Sequence, residues 1–147
     1  MADLPVPLQE ILKDFAFLDR ADRIDLLIEF ADKFVDVPET IAGRPFPEAN
    51  HVTRCESEAF VFPEDAPGGT LKFHFAVENP QGLSAKAWAV IMDETLSGQP
   101  LDQVAAIDPG VIFQIFGKEL SMGKGQGLMG MLDHVTTAAR RKLTAAS

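Results

Sequence analysis

The chain has 147 residues, of which 46% are hydrophobic and 24% charged, proportions typical of one folded domain with a substantial core. Its 22 acidic and 13 basic residues give a net charge of −9, which repels phosphate backbones and argues against nucleic acid as a partner. No apolar stretch approaches the roughly 20 residues of a membrane span, and no secretory signal opens the chain. We therefore expect a single cytoplasmic domain over residues 1–147, with no membrane or nucleic-acid partner.

The first fifty residues predict two helices followed by an irregular connection. Apolar residues recur at helical spacing over residues 7–18, and Asp19 has the chemistry of an N-cap for a second helix. The apolar stripe expected to be buried on that second helix consists of Ile24, Leu27, Ile28, Ala31 and Val35. Several prolines and Gly43 then mark residues 36–50 as irregular.

The middle of the chain predicts a β-hairpin. Residues 58–62 suit a strand, residues 63–69 are rich in turn formers, and residues 71–77 alternate between apolar and polar side chains. The residues 79–82, with a proline and a glycine, then break the strand pattern.

The remainder of the chain predicts helices only. We expect one over residues 83–96, two short ones over 101–107 and 111–116, and a long final helix with one continuous apolar stripe. That stripe consists of Leu128, Met131, Leu132, Val135, Ala138 and Ala139. Because strands and helices do not alternate, the order predicts an α+β fold, in which a small antiparallel sheet is packed against several helices on one side.

Cys55 is the only cysteine of the chain, so a disulfide within the chain and a cysteine-rich metal site are both excluded. Polar neighbours give way to an apolar run at Ala59, which predicts a thiol at a loop-to-strand junction. Arg54 adds a cation that favours thiolate over thiol, while Glu56 and Glu58 act in the opposite direction. A free cysteine is also common as a small buried hydrophobe, and the residues alone leave both interpretations open.

Other constellations carry weaker signals. The three histidines and Cys55 lack the ligand spacing of a zinc site, so we expect no metal. His51 or His74 could act as the base of a cysteine nucleophile, and His134 is interpreted as a solvated surface residue. The glycine-rich residues 123–127 lack the Gly-Lys-Ser/Thr of a phosphate-binding loop, and we interpret them as a helix entry that lets backbone pack closely.

Two motifs in the right order resemble the SufE family of sulfur-acceptor proteins. The family pattern Val-x-Gly-Cys-x-Ser appears here as Val52-Thr53-Arg54-Cys55-Glu56-Ser57. The family segment Ser-Arg-x-Asn/Gln-Gly-Leu appears as Gly123-Lys124-Gly125-Gln126-Gly127-Leu128, followed by Met131. The opening Leu4-Pro5, the helix around Leu8-Gln9-Glu10-Ile11 and the segment from Asp19 to Arg23 extend the resemblance over nearly the whole chain.

The chain also departs from the family pattern. Arg54 stands in place of glycine, Phe60 in place of a frequent tryptophan, and Lys124 in place of an arginine whose bidentate contacts lysine does not reproduce. Residues 79–81 stand where many members carry aspartates.

The resemblance implies that Cys55 accepts sulfur as a persulfide from a PLP-dependent cysteine desulfurase, stimulates that enzyme and passes the sulfur to an iron–sulfur scaffold protein. The domain itself then needs neither PLP nor a metal, and acts as a sulfur-transfer partner rather than a stand-alone enzyme. The residues expected to modulate the thiol are Arg54, His51 and Ser57. Those expected to contact the partner are Lys124, Gln126 and Gly127.

Two other functions remain open from the residues. One is an acidic regulatory or binding module in which Cys55 is merely packed, and the other is a redox-sensing thiol protein. For the assembly state, we expect a monomer or a weak homodimer.

Overall fold

The computed structural model describes residues 3–53, 55 and 57–146, and it confirms the α+β class. Six α-helices and one antiparallel pair of strands occur in this part of the chain. In chain order they are α1 (Val6–Ala16), α2 (Arg20–Asp32), β1 (Ala59–Ala66), β2 (Thr70–Val77), α3 (Leu83–Leu96), α4 (Leu101–Ala105), α5 (Val111–Phe116) and α6 (Met122–Ala146). Among these residues, no helix is long and apolar enough to cross a membrane.

The two faces of the hairpin are covered by different parts of the chain. Val61 and Phe73 point inward and join the main core, in which β2 packs on α3 and β1 packs on α6. Phe62 points to the opposite face, where it packs with Val37 and Phe46 from the connection between α2 and β1. The irregular connection predicted after α2 therefore shields the second face of the sheet from solvent.

β1 extends to Ala66, beyond the predicted strand over residues 58–62, and the geometry at Pro63 explains why. Pro63 lies opposite Phe73 in the register, and the N–H of Phe73 points away from β1 and donates to the Ser97 hydroxyl oxygen at 3.0 Å. Because neither strand uses its N–H toward the other at this pair, a proline costs no hydrogen bond of the ladder. The predicted turn over residues 63–69 is wrong in its first half and shortens to Pro67–Gly69.

The buried face of α2 also differs from the prediction. Leu27 and Ala31 are buried as predicted. Three other residues of the predicted stripe are exposed instead, namely Ile24, Ile28 and Val35. Phe30, which is not part of the predicted stripe, is buried instead. Its ring stacks on that of Phe15 in α1 with 6.3 Å between the ring centroids. α2 packs mainly on α3, and this aromatic pair adds a contact between α2 and α1.

The remaining helices agree with the predictions, with small changes at their ends. α3 and α5 have the predicted bounds, and α4 ends slightly early at Ala105. The Asp19 cap is confirmed, since its carboxylate accepts the N–H of Asp22 at 2.8 Å. α6 begins at Met122, so the glycine-rich residues 123–127 form its first turns, in agreement with the predicted helix entry.

His134 of α6 is half-buried, so the solvated surface position predicted for it is wrong. Burial lowers the pKa of its imidazole below the ordinary value of 6.5. Asp133 opposes this change of the His134 pKa, while the electrostatic effects of His51 and Arg141 add to it.

We expect His134 to make the protein less stable in acid. Because the folded chain binds a proton at His134 less readily than the unfolded chain, the free energy of unfolding falls as the pH drops below about 6.5. His134→Gln removes this difference and is expected to lose less stability than the wild type between about pH 7.5 and about pH 5.5. Urea unfolding at several pH values measures the effect, and identical pH dependence of the two proteins would contradict it.

Candidate functional site

Cys55 lies in a loop that leads into β1, and its described residues 52, 53, 55 and 57–59 are here called the cysteine loop. Its ends are joined by a hydrogen bond from the N–H of Val52 to the carbonyl oxygen of Ala59 at 2.9 Å. Across the turn, the N–H of Glu58 donates to the carbonyl oxygen of Cys55 at 3.1 Å. Glu58 has a φ of 52°, a left-handed conformation that residues other than glycine seldom adopt. The loop is therefore held by one hydrogen bond at its base and by a second one at Cys55.

α6 offers the cysteine loop a surface without side chains. A β-carbon added at Gly127 would lie 3.3 Å from the Cα and 3.4 Å from the Sγ of Cys55. At Gly130, on the same face of the helix, it would lie 2.8 Å from the Cγ1 of Val52, which would force a shift. The loop rests directly on α6 because positions 127 and 130 carry no side chain. We call these two residues the glycine seat.

The loop between β2 and α3, here called the β2–α3 loop (residues 78–82), forms the opposite wall of the site. The N–H of Asn79 donates to the carbonyl oxygen of Ser57 at 3.1 Å, and the Asn79 side chain accepts the N–H of Gln81 at 2.9 Å. A β-carbon added at Gly82 would lie 2.8 Å from the Oγ of Ser57, so this glycine also permits a close approach. The cysteine loop is thus held between α6 and the β2–α3 loop.

A cleft of about 230 Å³ opens between these walls, and Cys55 lines it although only 8% of that residue is exposed. Polar residues line much of the cleft, including Ser57, Asn79, Gln81, Ser84 and Lys124. Among the described residues around it, none is a histidine or a carboxylate. The described residues of the cleft therefore offer a sulfur anion hydrogen-bonding groups and the cation of Lys124, and none of them is a general base.

The structure brings some of the predicted site residues together. Ser57, Lys124 and Gly127 line the cleft with Cys55. Gly127 is buried beneath the thiol, whereas Lys124 is exposed at the rim. Gln126 is exposed on α6 but lies outside the cleft.

The other predicted thiol neighbours are not part of this arrangement. Arg54, which precedes the thiol in the sequence, lies outside the described residues. His51 lies at the base of the cysteine loop, with its Nε2 3.0 Å from the Oε2 of Glu58. His74 is equally engaged, since its Nε2 lies 3.0 Å from the Oε1 of Glu64 on the neighbouring strand. Neither ring lines the cleft, so the structure does not pair the thiol with a histidine base.

Metal binding finds no support in the described part of the chain. Over residues 3–53, 55 and 57–146, no group of three or more histidine, cysteine, aspartate or glutamate side chains is placed to hold an ion.

Gly82 and Gly130 are site residues that the sequence patterns do not single out. The spacing of Gly127 and Gly130 places both on one face of a helix, and this is the signal that points to the second of them. Nothing comparable marks Gly82, because its contact with Ser57 joins residues that are distant in the chain.

Comparison with known proteins assigns the chain to a family. A family model described as SufE, Fe-S metabolism associated domain, matches residues 9–139. Uncharacterized SufE-like proteins from two strains of Mycobacterium tuberculosis are each 28% identical over 109 residues, which covers 72% of this chain and 71% of the relative.

A solved structure supports the same assignment. The solution structure of a hypothetical protein from Thermus thermophilus is similar to this chain with a TM-score of 0.74 and 27% identity. The similarity covers 97% of this chain and 99% of the other, so the fold is SufE-like throughout. The family match includes the cysteine loop, the β2–α3 loop and the glycine seat. The chain therefore belongs to the SufE family, whose domain is associated with iron–sulfur metabolism.

Proposed function

We propose that this chain takes a sulfur atom onto Cys55 from a PLP-dependent cysteine desulfurase and passes it to an iron–sulfur scaffold protein. The observation that carries the proposal is the position of the only cysteine, which rests on the glycine seat at the edge of a polar cleft. Membership of the SufE family supports it. The lack of a histidine or carboxylate among the described cleft residues favours sulfur transfer over hydrolysis, because a hydrolytic cysteine needs a base.

The proposed transfer is an exchange between a thiol and a persulfide. The Cys55 thiolate attacks the outer sulfur of the persulfide on the desulfurase. A new S–S bond forms on Cys55, the S–S bond of the donor breaks, and the donor cysteine leaves as a thiolate. The transferred sulfur keeps its oxidation state, so no further oxidant or reductant takes part. A second exchange, with a thiol of the scaffold protein, returns Cys55 to its thiolate.

Burial of the thiol suits a carrier. A persulfide is a reversible modification that other thiols remove, and the walls of the cleft restrict their approach to Cys55. Because the chain has no second cysteine, it cannot discharge the persulfide into an internal disulfide. A cleft of about 230 Å³ also leaves room for one additional sulfur atom.

The same burial requires the thiol to move outward when the donor docks. The contact between the cysteine loop and the glycine seat is a van der Waals contact, and such contacts are individually weak. We propose that a docked partner displaces the turn of the loop while the hydrogen bond between Val52 and Ala59 stays intact.

A cytoplasmic location accompanies the proposal, because thiols stay reduced there. The competing functions are a redox-sensing thiol and a binding module without chemistry. Sensor cysteines are typically accessible and often have a resolving cysteine nearby, and neither property describes Cys55.

Incubation with a cysteine desulfurase, PLP and cysteine is expected to add about 32 Da, one sulfur atom, to Cys55 and to raise desulfurase turnover. Cys55→Ser is expected to gain no sulfur and to lose most of the stimulation, because a hydroxyl does not accept persulfide sulfur. Intact-protein mass spectrometry measures the added sulfur, and sulfide release measures the turnover.

The outcomes separate the three functions. If Cys55 gains no sulfur and the desulfurase is not stimulated, the carrier function is refuted. Full stimulation by Cys55→Ser would identify a binding module without chemistry. Sulfenic acid formed on Cys55 by mild peroxide, without any response to the desulfurase, would identify a sensor.

Gly127→Ala is expected to push the thiol out of its place, and Gly125→Ala is the matched control. In both variants, alanine favours the helix by about 0.5–1 kcal/mol relative to glycine. The added β-carbon at position 125 meets Leu120 and Met129 at 3.7 and 3.9 Å, which is ordinary contact. At position 127 it meets the Cα of Cys55 at 3.3 Å, which is crowded.

We therefore expect Gly125→Ala to raise the free energy of unfolding by about 0.5–1 kcal/mol and to leave the thiol labelling rate unchanged. Gly127→Ala gains less stability, and its Cys55 reacts several-fold faster with Ellman's reagent. If the two variants label at the same rate, the glycine seat does not control access to the sulfur.

Lys124→Gln is expected to slow the arrival of sulfur on Cys55 by about two- to fivefold, the range for one exposed charge near a reacting anion. Lys124→Arg keeps the charge and is expected to retain most of the wild-type rate. Lys13→Gln removes the same charge from α1, outside the cleft, and serves as the control. Quenched-flow mass spectrometry measures the rates, and an equal loss in the two glutamine variants would assign the effect to net charge alone.

A further inference from the structure

A second, larger depression adjoins the cleft. It has a volume of about 810 Å³, lies between α2, α5 and residues 117–121, and is here called the groove. The groove and the cleft share Leu83, Ser84 and Lys124. Whatever occupies the groove therefore lies beside the opening above Cys55.

Large apolar side chains are exposed in the groove. Ile24, Leu83 and Phe113 are 46%, 42% and 38% exposed, although each has the size of a core residue. Single exposed apolar residues are normal, but several of them in one concave surface mark an interaction site.

The charge of the groove is opposite to that of the whole molecule. Four basic residues and one acidic residue line it, namely Arg20, Arg23, Lys118, Lys124 and Glu119. The chain as a whole carries 22 acidic and 13 basic residues, so this surface stands out as electropositive. An electropositive surface of this kind selects an acidic partner.

The cations at the rim are available to a partner. Lys118 and Lys124 have no ion-pair partner among the residues that the structure describes. Arg20 lies 3.2 Å from Glu119, but both side chains are about 80% exposed. Such an exposed pair contributes little to the folding stability, so Arg20 readily exchanges Glu119 for a carboxylate of the partner.

Arg23 has a different task, because it fixes the walls of the groove. Its guanidinium donates to the carbonyl oxygens of Gln114 and Ile115 at 2.8 and 2.7 Å, and so joins α2 to the last turn of α5. The groove is therefore preformed, which lowers the entropy lost when a partner binds.

We infer that the groove binds an acidic segment of the cysteine desulfurase, one that presents an apolar side chain between carboxylates. This inference rests on the proposed function and deepens it. The apolar side chain contacts Ile24 and Phe113, while the carboxylates pair with Lys118, Lys124 and Arg20. Because the groove shares an edge with the cleft, this anchoring holds the adjoining surface of the donor over Cys55.

Two pairs of variants test the inference. Ile24→Ser removes an apolar contact from the groove, and Ile28→Ser makes the same change one turn later on α2, outside the groove. Lys118→Glu reverses a charge in the groove, and Lys13→Glu reverses one on α1. Isothermal titration with each cysteine desulfurase of the source organism gives the dissociation constants. We expect the groove variants to bind about tenfold more weakly and the controls to bind within about twofold of the wild type.

A second measurement separates docking from chemistry. The groove variants are expected to raise the concentration that gives half-maximal desulfurase stimulation, with little effect on the maximum. Cys55→Ser is expected to bind with wild-type affinity and to lose the sulfur transfer. Lys118→Glu is also expected to weaken the dependence of affinity on ionic strength, because it removes one of the attracting cations.

The remaining outcomes overturn the inference in distinguishable ways. If all variants bind the desulfurase equally while Cys55 still accepts sulfur, the groove is not the docking site and the proposed function stands. If the controls weaken binding as much as the groove variants, the effect is not specific to this surface. If the groove variants lose affinity only for the scaffold protein, the occupant is the acceptor. If no desulfurase binds the wild type, the docking site and the carrier function both fail.

Discussion

The close contact between the backbone around Cys55 and the glycine face of α6 is the constraint on which the whole site depends. Any side chain at position 127 would crowd the thiol, and any at position 130 would overlap Val52, which is completely buried. Because these positions are glycines, the backbone of α6 covers the cysteine loop at close range. The result is a thiol that is shielded at rest and still lies beside an open cleft.

The rest of the fold supports this contact from both sides. The hairpin continues directly from the cysteine loop and packs on α6 through β1. α3 holds α6 in place from within the core, since the indole N–H of the buried Trp88 donates to the carbonyl oxygen of Leu128 at 3.0 Å. Leu128 follows Gly127 directly and lines the same cleft. A change in the packing of Trp88 would therefore alter the helix turn on which the thiol rests.

Local patterns in the sequence were sufficient for most of the helices, because a stripe of apolar residues and a cap at Asp19 act over one or two turns. They were insufficient where distant residues decide the outcome. The buried face of α2 is decided by its packing on α3 and on Phe15, and β1 continues through Pro63 because of its register opposite Phe73. The thiol, Ser57 and Lys124 could be predicted as neighbours from motif resemblance, whereas the contact of Gly82 with Ser57 could not. The groove likewise combines residues of α2, α3 and α5 that share no sequence pattern.

Charge and shape together favour one surface of the molecule for docking. An acidic molecule repels most of its anionic neighbours, while the electropositive groove beside the cleft admits an acidic segment at that surface.

The central claim, that Cys55 takes sulfur directly from the donor, is tested most directly by a single-turnover experiment. A desulfurase that carries the persulfide is separated from free cysteine and mixed with an equimolar amount of this protein. The reaction is quenched at intervals, and mass spectrometry measures the masses of both proteins. For a carrier, the sulfur leaves the desulfurase and appears on Cys55 at the same rate. Sulfur that stays on the desulfurase, or is released as sulfide without ever appearing on Cys55, would contradict it.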